Sequence, residues 1–131
     1  MTGRTLGYLV FAAWAMGSLP LQAHHSLAGV YDMKGEKEVT GTLTKIQFVN
    51  PHGSMTITVK NPDGSTIDWT FTTGSATTLA ERGIGKGTLK AGETITAKFI
   101  PARNGNPLGF LKTVTTADGK VFTVSAGNPN D

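Results

Sequence analysis

Short runs of alternating apolar and polar residues dominate the chain from Val39 onward. In SMTITVK, beginning at Ser54, Met55, Ile57 and Val59 alternate with threonines, and TIDWTFT, beginning at Thr66, repeats the pattern. Between them, Asn-Pro-Asp-Gly is typical of a hairpin turn. A period of two indicates β-strands with one buried and one wet face.

The preceding run, VTGTLTKIQFV, changes phase midway. Val39, Gly41 and Leu43 share one parity, whereas Ile46 and Phe48 have the other. An extra residue in one strand produces such a shift, so we predict a β-bulge or sharp bend near Thr44 and Lys45.

One segment of the region from Val39 onward favours a helix instead. Ser75 is a suitable N-cap, the helix would run through Ala80 or Arg82, and Gly83 could end it. Strand patterns resume in LKAGETITAKFI, LGFLKTVTT and VFTVS, the last after the turn Ala-Asp-Gly-Lys.

Three strands, a short helix and two or three more strands predict an all-β fold, a small OB-like barrel of five to six strands with one short helix between strands 3 and 4. A bent first strand fits, because it must pair in both halves of the barrel. A small β-sandwich is the alternative, although the single helix after the third strand disfavours it.

The first 23 residues have the pattern of a secretory signal peptide. Arg4 is followed by an apolar run from Leu6 to Leu19, and Ala23 is a plausible cleavage point. We therefore predict a cleaved signal at 1–23, a leader segment at 24–38, a barrel domain at 39–126 and a frayed end at 127–131. An uncleaved N-terminal anchor is the alternative, although the run is short for a membrane span.

Composition narrows the classes of function. Cleavage would leave 108 of 131 residues, one small domain, and would lower the formal charge from +3 to +2. That charge is too small to argue for nucleic acid, and we expect no membrane insertion after cleavage. The absence of cysteine excludes disulfides, thiolate catalysis and cysteine-ligated metal sites.

Several motifs together resemble a family of small bacterial secreted proteins known only as a domain of unknown function. They are A-H-H-S at 23–26, V-N-P-H at 49–52, the tryptophan of the third strand, a helix ending in ERG, and the segments LKAGETIT and TTADGK. The resemblance spans nearly all of the chain after residue 23 and implies an exported single domain without an assigned activity. One departure is Gly53, where the family pattern has an apolar residue.

Histidine is the residue type that could carry chemistry here. If cleavage follows Ala23, the α-amine and imidazole of His24 could chelate one metal ion, and His25 or His52 could complete the site. Nitrogen-only, tetragonal ligation suits Cu(II). The leader of about 15 residues could extend some 50 Å, so it could reach His52 in the loop after the first strand. Cleavage before Ala23 would instead make His25 the third residue, which binds Cu(II) or Ni(II) through backbone nitrogens.

A reading without metal stays open, in which the histidine pair only assists cleavage and Asn-Pro-His-Gly is only a turn. Asp32, Glu36 and Glu38, interspersed with Lys34 and Lys37, indicate a solvated segment rather than a catalytic pair. We name no catalytic residue and no other cofactor. The sequence predicts a periplasmic or secreted, non-enzymatic binding protein for copper, or else a metal-free module that binds a peptide, glycan or small ligand on its open barrel face.

Overall fold

The computed structural model describes residues 27–127, which are mostly β structure. The predicted signal peptide, His24, His25 and residues 128–131 of the predicted frayed end lie outside that range. The elements, in chain order, are α1 Leu27–Val30, β1 Lys37–Gln47, β2 Ser54–Lys60, β3 Thr66–Thr72, α2 Ala76–Glu81, β4 Thr94–Pro101, β5 Leu108–Thr116 and β6 Val121–Thr123. β1 thus begins two residues before Val39, where the alternation becomes visible in the sequence.

Five of the strands close into a barrel. The sheet order is β3-β2-β1-β4-β5-β6, and β3 also pairs with β5. The β3–β5 pairing is parallel and short, from Thr70 opposite Leu108 to Thr72 opposite Phe110, whereas the other pairings are antiparallel. β6 adds a sixth strand outside the closed barrel, and α2 lies between β3 and β4. The predicted OB-like barrel is confirmed.

The apolar parity of the strands forms the barrel interior. Leu43, Ile57, Phe71, Ala97 and Phe99 are each fully buried. The ring of Phe99 contacts those of Trp69 and Phe71, with centroids 5.0 and 4.8 Å away. These side chains supply the main hydrophobic contribution to folding, about 1.5–3 kcal/mol for each large group buried.

The predicted irregularity of β1 is confirmed as a register shift against β2 between Leu43 and Lys45. It allows the first half of β1 to pair with β4 and the second half with β2. A second shift, between Lys98 and Phe99 in the β4–β5 pairing, was not predicted. The residue without a partner is Lys112 of β5, between Leu111 and Val114, which have opposite parity and are both buried.

The predicted turns and helix boundaries are also confirmed. Gly64, in the β2–β3 turn, has φ of 86°, a conformation that favours glycine. Ser75 caps α2 by accepting a hydrogen bond from the Thr78 N–H. Gly83 follows the helix with φ of 79°.

The segment before β1 contains structure that the sequence pattern did not indicate. It includes α1, a four-residue helix, and Tyr31, which is only 3% exposed. Tyr31 packs with Ile100, Ala102 and Phe110 in a second apolar cluster, separate from the barrel interior. A helix of one turn has no period to detect, and its stability depends on tertiary contacts. Within residues 27–127, no helix has the length and apolar character needed to span a membrane.

Candidate functional site

Of the three predicted metal ligands, His52 lies in the described part of the chain, and His24 and His25 lie outside it. His52 is exposed in the loop of residues 48–53 that joins β1 to β2, the β1–β2 loop. Residues 27–127 contain no group of three or more histidine, aspartate or glutamate side chains arranged to hold a metal. The other ligands of the predicted site, His24 and His25, lie outside the described residues.

The β1–β2 loop is tied to the segment between β3 and α2. The Asn50 side-chain oxygen accepts a hydrogen bond from the Ala76 N–H at 3.1 Å. Gly53 donates from its N–H to the Gly74 carbonyl and accepts from the Thr73 N–H, both at 3.0 Å. His52 is thus flanked by two residues whose positions are set by the neighbouring segment.

Gly53 is required by close packing at this position. An added Cβ would lie 2.5 Å from the Gln47 carbonyl oxygen and 2.7 Å from the Thr73 hydroxyl. Distances this short are not found for real Cβ atoms, and one of the two neighbours is backbone. The apolar residue expected after His52 is therefore excluded here, because the loop closes tightly on Gln47 and Thr73.

The segment that leads into the barrel is fixed close to this loop. The Tyr31 hydroxyl hydrogen-bonds the Thr72 hydroxyl at 2.8 Å, and its ring lies 5.9 Å from that of Phe110. The backbone is held as well, since Asp32 N–H donates to the Pro101 carbonyl and Arg103 N–H donates to the Val30 carbonyl. We call the Tyr31–Thr72 hydrogen bond and these backbone bonds the leader latch.

Strand register links the leader latch to His52. Thr72 pairs with Ser54 across β2 and β3, and Ser54 donates from its hydroxyl to the Gln47 side chain at 3.1 Å. Directly opposite residues in a sheet lie about 4.5–5.5 Å apart. His52 precedes Ser54 by two residues, at most about 7 Å of chain. The latch and the exposed imidazole therefore lie on the same side of the barrel.

The polar face of β1, β2 and β3 carries hydroxyls and no aromatic platform. Thr56 is opposite Thr70, and the Thr58 hydroxyl donates to Asp68 at 2.6 Å. Trp69 packs instead against the barrel interior, where its ring stacks on Phe71. The aromatic residues of β3 therefore contribute to the core, as their shared parity predicted.

One of the acidic residues before β1, Glu36, is paired with two lysines from other strands. Glu36 makes ion pairs with Lys98, at 2.9 Å, and with Lys112. Hydrogen bonds from Lys112 and Lys98 to its carboxylate lower its pKa from 4.5 to about 2. A carboxylate held in this form cannot serve as a proton donor near neutral pH. Sequence could not identify these partners, because they are 62 and 76 positions away on other strands.

Comparison with protein families identifies the family of the chain. A family model described as a family of unknown function, DUF6152, matches residues 13–112. It confirms the resemblance noted above at the level of a family of unknown function, while export and the roles of the individual motifs stay predictions. No curated protein and no solved structure matches the chain.

Proposed function

The chain belongs to the family of unknown function DUF6152, and we propose that it is an exported, non-enzymatic binding protein of the bacterial cell envelope that holds a copper ion. The ligands in this proposal are the α-amine and imidazole of His24 and a completing imidazole from His52. His25 is the other candidate for that third position. Amine and imidazole nitrogens in a tetragonal arrangement suit Cu(II).

The leader latch is the observation that carries the proposal. It fixes Tyr31 beside Thr72, whose partner Ser54 is two residues from His52. Leu27 is three positions after His24, at most about 10 Å away when extended, and the four-residue α1 adds about 6 Å. The stretch from His24 to the end of α1 can therefore span at most about 16 Å rather than the 50 Å of an unattached leader, and it ends on the side of the barrel where His52 lies.

The fixed loop supports His52 as the completing ligand. Preorganisation of a ligand reduces the ordering entropy that binding must overcome. The hydrogen bonds of Asn50 and Gly53 hold the backbone on both sides of His52, while the imidazole stays exposed.

The alternative is a metal-free module that binds a peptide, glycan or small ligand on the open barrel face. The hydroxyls of β2 and β3, including Thr56, Thr58 and Thr70, favour this function, because hydroxyls both donate and accept hydrogen bonds. In OB-folds, the face of strands 2 and 3 and the loop after strand 1 commonly bind ligands.

Titration with Cu(II) and Zn(II) tests the proposal on a chain that begins at His24. We expect saturable Cu(II) binding at pH 7 and weaker Zn(II) binding, and His52→Ala should lower the Cu(II) affinity more than His25→Ala does. The same chain with an acetylated α-amine is the matched control, since it keeps all three imidazoles. Equal affinity of the acetylated and free chains, or no saturable binding, would leave the metal-free module as the better account.

Export is tested separately by the mass of the protein recovered from the cell envelope. We expect a mass that corresponds to loss of residues 1–23. Retention of those residues would remove the free amine of His24 and contradict the copper site.

A further inference from the structure

A cleft of about 550 Å³ opens at the end of the barrel away from the leader latch. It lies where β4 begins, at Thr94, and where β5 turns into β6, at 116–120. Tyr31, by contrast, bridges to Ala102, just after the other end of β4. The volume falls within the range of about 300–1,000 Å³ that small-molecule sites occupy.

Hydroxyl groups in this cleft are available to donate hydrogen bonds. Thr94 is exposed, and its hydroxyl has no hydrogen-bond partner among residues 27–127. The Thr88 hydroxyl accepts from the Gly85 N–H at 2.9 Å, so its own O–H remains available. Lys120 adds an exposed ammonium group to the same lining.

Acceptor groups lie among these donors. Asp118 Oδ1 accepts hydrogen bonds from the Thr116 hydroxyl and the Lys120 N–H. Within the described residues, Asp118 Oδ2 accepts no hydrogen bond. The hydrogen bond from Thr116 and that from the Lys120 backbone lower the pKa of Asp118, so the group is a carboxylate. Glu93 likewise uses Oε2 to accept from the Lys90 N–H.

An aromatic side chain supplies the apolar part of the cleft. Phe122 belongs to the barrel core and retains 8% exposure at the cleft. The Lys120 ammonium lies 4.7 Å from the centre of its ring. The small exposed part of the ring gives the cleft a limited apolar surface among its donors and acceptors, and a sugar likewise combines C–H groups with many hydroxyls.

From this arrangement we infer that the cleft binds a neutral polyhydroxylated ligand, in particular a short saccharide. The two carboxylates of Glu93 and Asp118 disfavour an anion, and Lys120 beside them disfavours a simple cation. Free donors and free acceptors in one cleft match a ligand whose hydroxyls do both. This inference is independent of the copper site, which is on the other side of the barrel.

Chemical-shift titration by NMR tests the inference on the chain that begins at His24, without metal. The probes are cellobiose, maltose and N,N′-diacetylchitobiose, with putrescine as a small cation and inorganic phosphate as an anion. We expect saturable shifts at Thr94, Thr116 and Asp118 with at least one saccharide. Saturation at these residues by putrescine or phosphate alone, or by none of the five probes, would overturn the inference.

Two variants assign the contacts. Asp118→Asn keeps an oxygen that can accept the hydrogen bonds of the 116–120 turn but removes the negative charge. We expect the saccharide affinity to fall roughly tenfold, the effect of losing one hydrogen bond to a charged group. Thr94→Val should weaken binding by a smaller factor. Asp63→Asn is the matched control, because Asp63 accepts from Ser65 in the corresponding way at a turn outside the cleft. Equal weakening by Asp63→Asn and Asp118→Asn would contradict the assignment.

Discussion

The two ends of the barrel differ in how their polar groups are used. At the latch end, side chains and backbone of the leader, the β1–β2 loop and the segment before α2 bond to one another, as in Tyr31 to Thr72 and Asn50 to Ala76. At the cleft end, Thr94 and one oxygen of Asp118 have no partner within residues 27–127. Bonded groups position an exposed residue, whereas unbonded groups are available to a ligand. The comparison separates the proposed metal ligand, His52, from the proposed small-molecule cleft.

Of the substitutions at the two ends, Tyr31→Ala at the latch end should lower the free energy of unfolding the most. The substitution removes a side chain that is 3% exposed and leaves a cavity in the second apolar cluster, beside Ile100 and Phe110. We expect the free energy of unfolding to fall by about 3 kcal/mol, the lower part of the range for removing a buried aromatic ring.

Urea denaturation provides that measurement. Val30→Ala is the matched control, since the adjacent Val30 is 44% exposed and should change stability by less than about 0.5 kcal/mol. Similar losses for the two variants would show that the leader does not pack on the barrel as described.

Substitution of one glycine at each end compares how tightly the two ends are packed. Gly53→Ala places a Cβ 2.5 Å from a backbone oxygen and should destabilise the latch end by about 2 kcal/mol, as other overpacking substitutions do. Gly119→Ala, at the cleft end, meets no atom within 4 Å, and only its φ of 88° opposes the substitution. We expect about 1 kcal/mol there. Thermal unfolding of both variants measures these effects. A larger loss of stability in Gly119→Ala than in Gly53→Ala would contradict the comparison.

Tyr31→Phe isolates the hydroxyl of the leader latch. It keeps the ring on Phe110 but removes the bond to Thr72, which should cost about 1 kcal/mol of stability. If the latch positions the His24 arm, the same variant should also weaken Cu(II) binding measurably. Lower stability with unchanged Cu(II) affinity would show that the bond is structural only.

The smallest expected effect is the contribution of Glu36 to stability, measured as a function of pH. Its carboxylate is stabilised in the folded state by Lys112 and Lys98, so its pKa is about 2 rather than 4.5. A group with a lowered pKa contributes stability that is complete above its unfolded pKa and is lost as the pH falls through its folded pKa. We expect Glu36→Gln to be less stable than the native chain at pH 6 and the difference to shrink between pH 4.5 and 2. Glu81→Gln, at an exposed glutamate of α2, is the matched control for the loss of a surface charge.

Local patterns were sufficient to predict the barrel, the β1 bulge and the caps of α2, because parity and turn residues act within a few positions. The change of parity between Leu43 and Ile46 indicated the bulge. The leader latch was not predictable, since Tyr31 and Thr72 are 41 positions apart and α1 has no repeating pattern. The cleft was missed for a similar reason, because Thr88, Thr94 and Thr116 meet only once the barrel closes.

The measurement that tests the copper site most directly is paramagnetic broadening of amide signals by Cu(II), bound to the chain that begins at His24. We predict that one equivalent of Cu(II) broadens Gly53, Ser54, Tyr31 and Thr72 and leaves Thr94, Asp118 and Phe122 sharp. The acetylated chain should show no such pattern. Broadening at the cleft end, or none near His52, would contradict a copper ion held between His24 and His52.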